Sequence, residues 1–363
     1  MIPILTSGAV AMILSLLGTP LVIRFFSERG LGQPIREEGP SHHQSKAGTP
    51  TMGGAAIVLA AVGGWLAAHG LPDTGITPVG ALVIVVFLGM AGIGFADDLI
   101  KVRARHNQGL SGAAKFAGQA VIAASLALLG PTYAGIPREI SITGEWSVSL
   151  GAFVFVVWMF LLLAGTSNGA NLTDGVDGLL AGTSALVFGA YTLVAFWQYR
   201  NPAAFGLATD LDPLDIAMVC AATTGACAGF LWHNAPPAKI FMGDTGSLAL
   251  GGLLAAVAVA TGTQLLLVLV GGLFVAETLS VIVQKTVFKL TKKAAAEGRR
   301  EQPKRVFRMA PLHHHFELVG WVDSTIIVRF WIAAGIGVVA GLGLFYGESL
   351  ERVVEAIRTG ATL

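Results

Sequence analysis

The sequence predicts an all-α, polytopic integral membrane protein, a single transmembrane domain spanning residues 1–363. Three observations carry that prediction. Of 363 residues, 54% are hydrophobic and only 12% are charged, with a mean hydropathy of +0.70; soluble domains carry about 25% charged residues. The apolar residues gather in runs close to the roughly 20 needed to cross a bilayer as a helix. Those runs are continuous rather than alternating, which excludes a membrane barrel, the other fold that satisfies its backbone in lipid.

Ten spans follow in order, near residues 3–25, 51–69, 80–96, 113–129, 149–165, 178–197, 214–232, 246–262, 264–284 and 325–346. The first lacks a basic flank and a small-residue cleavage site, so it reads as a retained span and not a leader. The second starts behind Thr49 and Pro50, residues suited to a helix N-cap and first turn. The third closes on Asp97 and Asp98, and the seventh holds Cys220 and Cys227, read as free, buried thiols. The ninth contains Glu277, the one acidic residue well inside a span, which calls for a hydrogen-bonded partner or a proton. Most of the 47 glycines fall inside the runs, where they permit close helix packing. No internal repeat is present.

Lysine and arginine fix an expected orientation. The odd-numbered connections carry Arg24, Arg29, Arg36 and Lys46, then Lys101, Arg103, Arg105 and Lys115, then Lys239. The longest adds Lys285, Lys289, Lys292, Lys293, Arg299, Arg300, Lys304, Arg305 and Arg308. The other side holds only Arg138, Arg200, Arg352 and Arg358. Both termini are therefore expected outside and the odd-numbered loops in the cytoplasm. The outer connections, 71–78, 130–147, 200–213 and 261–264, read as plain linkers.

Polar chemistry collects in the cytoplasmic loops. The first ends in HHQSKAGTPTMGG (42–54), where a lysine, threonines and glycine-flanked backbone beside a helix start suit an anion. FADD (95–98) places two carboxylates side by side; they repel each other unless a cation or a proton-transfer duty uses them, or water screens them. NGANLTDGVDG (168–178) offers amides with Asp174 and Asp177, a set apt for Mg²⁺, which takes a few carboxylates plus substrate phosphate. If that segment is helical, both carboxylates point to one side. HNAPPAKIFMGDTGS (233–247) brings Asn234, Lys239, Phe241 and Asp244 to a helix start. There Asp244 could simply cap the helix, and Phe241 could stack on a base or merely pack. APLHHHFE (310–317) has three successive histidines that cannot all face one way, so a zinc triad is disfavoured and phosphate contact is the better role. The basic run before it favours anionic lipid as well as an anionic substrate.

In this order the five motifs resemble the polyprenyl-phosphate N-acetylhexosamine-1-phosphate transferase superfamily over essentially the whole chain. HHQSKAGTPTMGG with MAPLHHHFE resembles its phospho-N-acetylmuramoyl-pentapeptide transferase branch. The resemblance implies a bacterial plasma-membrane enzyme working at the cytoplasmic face. Its substrates would be UDP-MurNAc-pentapeptide and undecaprenyl phosphate, its products lipid I and UMP, and its cofactor Mg²⁺. Membrane lipid is an implied partner and nucleic acid is not; a homodimer is compatible with the sequence. By position, the resemblance gives Asp244 to the metal, with Asn171 and Asp174 lining the metal and phosphate site. Asp97 becomes the base toward the lipid phosphate, with Asp98 beside it. Asp177, Asn234 and Phe241 hold uridine, Lys46 and Thr51 flank the nucleotide, and Lys115 is a further basic candidate. His313, His314 and His315 fall to the diphosphate or sugar. The chain departs from the family pattern at Gly169-Ala170, Val176 and His233, all near the site and outside its working groups.

The chemistry expected is attack of a lipid phosphate oxygen on the β-phosphorus of the UDP-sugar, with UMP leaving. Positioning and charge neutralisation would dominate. One displacement is favoured over a covalent aspartyl intermediate, between which sequence does not decide. A sister transferase using UDP-GlcNAc is the alternative within the superfamily. A secondary transporter is the alternative outside it, but transporters place coupling carboxylates at mid-membrane in broken helices, whereas these gather at one face.

Overall fold

The computed structural model describes residues 1–29, 48–104, 108–143, 146–205, 212–296 (backbone alone for 293–296) and 302–358. It is a helical bundle. In chain order come α1 (Ile2–Glu28), α2 (Gly54–His69), α3 (Pro78–Ala104), α4 (Gly112–Tyr133), β1 (Glu139–Ser141), β2 (Ser147–Ser149), α5 (Ala152–Thr173) and α6 (Leu179–Arg200). Then follow α7 (Pro202–Phe205), α8 (Pro213–Asn234), α9 (Gly243–Ala260), α10 (Leu267–Val270), α11 (Gly272–Ala296), α12 (Leu312–Val319) and α13 (Asp323–Arg358). Among the described residues, eight helices are long and apolar enough to cross a membrane: α1, α3, α4, α5, α6, α8, α9 and α13. Helix α2 is apolar but only 16 residues long.

The centre of the bundle is α9. Every residue from Asp244 to Ala260 is buried, as expected of a helix apolar on all sides. Helices α2, α3 and α5 pack against it. Helix α8 is held between α1 and α6. Lipid supplies no hydrophobic drive between helices, so close approach and hydrogen bonds must join them. A Cβ added to Gly229 on α8 would lie 2.5 Å from the Met12 carbonyl oxygen of α1. The Ser7 and Ser15 hydroxyls of α1 donate to the Met218 and Ala226 carbonyls of α8, each at 2.7 Å. The large apolar side chains left exposed on α1 (Leu5, Leu17, Leu21) and α13 (Ile332, Ile336, Val339) form the outer face. Cys220 and Cys227 are free and buried.

Three local expectations change. The 130–147 connection is not a plain linker: β1 and β2 form an antiparallel hairpin pairing Glu139 with Ser149 and Ser141 with Ser147. The hairpin is tied to the 261–264 connection, where Gln264 Oε1 accepts the Ser141 N–H at 2.9 Å. Thr49 and Pro50 do not cap a helix; α2 begins at Gly54 with Gly53 as its N-cap. The run at 264–284 is not one helix but one turn (α10), a break at Gly271 and the start of α11.

Candidate active site

The site is built around the first turn of α9. Gly243 opens that turn with φ +73°, a conformation that favours glycine. A Cβ there would also lie 2.6 Å from Asp98 Oδ2 and 3.0 Å from Thr51 Oγ1. Asp244 does not cap the helix; the cap comes from α3. Asp98 Oδ1 accepts the Asp244 N–H at 3.1 Å, and Oδ2 accepts the Thr245 N–H at 2.8 Å and the Thr245 hydroxyl at 2.7 Å. The end of the first-loop motif lies along the strand of chain before α9. Phe241 N–H donates to Pro50 O, Gly53 N–H to Phe241 O and Gly54 N–H to Met242 O, each at 2.9 Å. These bonds bring Thr51 to the site and leave the Phe241 ring half-buried at its edge. Lys46 lies outside the described residues.

With its backbone capped by Asp98, Asp244 is free to turn its carboxylate into a charged cluster. Oxygens of Asp97, Asp98 and Asp244 lie within 4.8 Å of one another, all three residues buried. Two ammonium groups hold them together. Lys101 Nζ stands 2.6 Å from Asp97 Oδ2, 3.0 Å from Asp244 Oδ1 and 3.8 Å from Asp98 Oδ1. Lys115 Nζ stands 2.6 Å from Asp244 Oδ2 and 3.0 Å from Asp97 Oδ1. Asp97 Oδ1 also accepts the Leu110 N–H at 2.7 Å. Asn171 on α5 donates to Asp244 Oδ1 at 3.0 Å and to Ser247 Oγ at 2.9 Å. Three carboxylates against two lysines leave an excess of one negative charge, and hard oxygen donors crowded this closely suit a divalent cation.

Within the NLTDGVDG segment α5 ends at Thr173 and residues 174–178 form a turn before α6, so Asp174 and Asp177 do not share a helical face. Asp174 accepts the Gly243 N–H. Burial, then the nearby charges of Asp244, Asp98 and Asp177, push its carboxyl well above the usual carboxylate range. Asp177 is buried in the same turn. Asn234 is also buried, and both ends of its amide are engaged: Oδ1 accepts the Gly178 N–H and Nδ2 donates to Ile240 O, each at 2.9 Å. It thus ties the aspartate turn to the segment carrying Phe241.

The three histidines face three ways, as consecutive helical residues must. His313 is buried against Glu277. His314 Nδ1 pairs with Glu317 Oε2 at 2.6 Å. His315 Nδ1 accepts the Arg308 N–H at 3.1 Å, turning toward the basic loop. Sequence reasoning counted Lys101 only as a topological charge. Its spacing from Asp97, one helical turn in DDLIK, was the signal for its place in the cluster.

The buried acid–lysine cluster lies at the end of a membrane-type helical bundle, and similarity to known proteins shows the chain to be a transferase. Residues 80–262 match the family model described as glycosyl transferase family 4. Residues 46–58 match phospho-N-acetylmuramoyl-pentapeptide-transferase signature 1. Similar relatives named phospho-N-acetylmuramoyl-pentapeptide-transferase include those of Frankia casuarinae, Rhodococcus opacus and Streptomyces coelicolor. That of Frankia casuarinae is 51% identical over 360 residues, covering 96% of this chain and 98% of the relative. That of Rhodococcus opacus is 46% identical over 365 residues (96% and 99%), and that of Streptomyces coelicolor 45% over 364 residues (94% and 97%). The chain belongs to the phospho-N-acetylmuramoyl-pentapeptide transferase family.

Proposed function

We propose that the chain transfers phospho-MurNAc-pentapeptide from UDP-MurNAc-pentapeptide to undecaprenyl phosphate, yielding lipid I and UMP, with Mg²⁺, at the cytoplasmic face of a bacterial plasma membrane. The observation that carries this reading is the cluster in which Lys101 and Lys115 bridge Asp97 and Asp244 beside the capped start of α9. A lipid phosphate oxygen forms the new bond to the β-phosphorus, and the bond from that phosphorus to the bridging oxygen breaks, leaving on UMP. In this chemistry the protein mostly positions and neutralises. The lysines are the groups to meet diphosphate oxygens. Asp97 faces the lipid phosphate, and Phe241, half-buried and next to the Ile240 whose carbonyl Asn234 holds, takes the uracil face. Asp244, with Asp97 and Asp174 alongside, offers the carboxylates to hold Mg²⁺, while Asp98 stays engaged in the cap of α9. The ion would offset charge developing on the transferred group and the leaving phosphate.

The test is UMP release by the purified chain in detergent with undecaprenyl phosphate and Mg²⁺. UDP-MurNAc-pentapeptide should support turnover and UDP-GlcNAc should not; the reverse result establishes the sister transferase instead. The orientation rests on the lysine and arginine asymmetry. A single cysteine at Ala295 should be shielded from impermeant thiol reagents in intact cells, and labelling there would invert the topology.

A further inference from the structure

We propose that Glu277 is a positioning residue that fixes the ring of His313 toward the aspartate turn; its effect on turnover rests on the transferase reading above. Glu277, on the second turn of α11, is 0% exposed. A carboxylate so placed is costly unless partnered. Among the described residues its side-chain partners come from the LHHHFE helix. Oε2 accepts the Leu312 N–H at 2.6 Å, and Oε1 accepts the His313 N–H at 3.3 Å and faces His313 Nδ1 at 3.1 Å. The N-cap of α12, Pro311, supplies no side-chain cap, so Glu277 caps that helix from another one. Capping alone does not explain the third contact. A carboxylate facing Nδ1 holds the proton there and sets the ring orientation, leaving Nε2 to act on something else.

Nε2 points away from Glu277. His313 is 1% exposed, and its Nε2 has no hydrogen-bond partner among the described residues. The atom lies against Gly175, where any added Cβ would run into it. Gly175 follows Asp174, whose carboxyl takes the Gly243 N–H next to Asp244. A buried imidazole with one nitrogen fixed and the other unpartnered is thus set directly on the turn that carries two of the site's acids. A histidine serving only to fill space would gain nothing from a buried charge behind it.

The experiment has two arms. In kinetics, Glu277→Gln keeps the side-chain size and one cap oxygen but loses the charge that orients Nδ1–H. We expect kcat to fall about 10-fold or more, on the scale of losing the carboxylate that orients a metal-bound histidine, with donor KM within about twofold. The Glu277→Gln/His313→Ala double variant should be no slower than His313→Ala alone. Losses that multiply, or near-normal kcat with only a lowered thermal midpoint, would reduce Glu277 to a helix cap. The second arm needs no turnover and no Glu277 variant. In the full-length chain labelled with ¹⁵N-histidine, with His313 assigned by His313→Gln or His313→Asn, Nδ1 should carry a proton; an unprotonated Nδ1 overturns the inference. Should the wild-type chain release no UMP from any UDP-sugar, the transferase reading fails by itself and the ¹⁵N result still decides what Glu277 does.

Discussion

Asp98 offers the sharpest separation of structure from chemistry, because its two oxygens are already committed. They accept two backbone N–H groups and one hydroxyl at the start of α9, 2.7–3.1 Å away, in a residue only 3% exposed. Asp98→Ala strands both N–H groups. Each buried, unsatisfied donor costs about 1–3 kcal/mol, while the Thr245 hydroxyl can rotate to a new acceptor. Two donors, partly rescued by water entering the space left, give a loss of about 2–4 kcal/mol. At roughly 2–4 °C per kcal/mol for a large domain, the thermal midpoint of the purified, metal-free protein should drop by about 4 °C or more. Asp98→Asn keeps one oxygen and should lose about half as much. Midpoints are read by fluorescence in a single detergent. An Asp98→Ala protein as stable as wild type, yet inactive, would refute the capping argument and make Asp98 a reacting or metal-binding group.

Asp244→Asn should abolish UMP release while the protein inserts and purifies normally, since the helix cap does not depend on its side chain; near wild-type turnover at ordinary Mg²⁺ would remove it from the metal site. Chelation with EDTA should stop the wild-type reaction and added Mg²⁺ restore it; turnover unaffected by chelation would contradict the cation reading of the cluster. Phe241→Ala should weaken UMP binding by about 1–3 kcal/mol, the range for a base stacked on an aromatic ring; unchanged affinity by calorimetry would assign the ring to packing. Asp174 has a raised folded-state pKa, so its ionisation opposes folding once pH exceeds the ordinary carboxylate value of about 4. Asp174→Asn should therefore raise the midpoint of metal-free protein at neutral pH, with the gain vanishing below pH ~4; a gain independent of pH would point to packing instead.

What sequence could reveal here was local. Apolar runs announce helices through length alone, and an apolar run flanked by Asp-Asp or Gly-Asp announces where polar work is done. The cap on α9 was hidden because Asp98 and Thr245 are 147 residues apart; from sequence, Asp244 itself looked like the cap. Glu277 called for a partner that sequence could not name, because the histidine it faces lies 36 residues on, across the long basic loop. Lys101 was masked by a competing explanation, since the same positive charge also served the topology rule. The hairpin strands are three residues each, too short for a period of two to register. The break at Gly271 gave no warning either, because glycine is ordinary inside membrane helices.

Two adjacent aspartates do separate jobs because successive residues on a helix diverge by about 100°. Asp98 turns to α9 and carries the cap, while Asp97 turns to the lysines and to Leu110. Lys101 sits one turn beyond Asp97 on α3, so that pair is prepared by one helix on its own. Lys115 comes from α4 and Asp244 from α9, so the complete cluster exists only once three helices have packed. Removing a lysine from such a buried set leaves carboxylates uncompensated and costs more than the pairing gains. The three carboxylates are thus tolerable at the bundle's end only with both lysines in place. That mutual dependence ties assembly of the bundle to assembly of the site: a chain whose α4 has not docked on α3 lacks Lys115, one of the two lysines that hold Asp244 and that are expected to meet the donor's diphosphate.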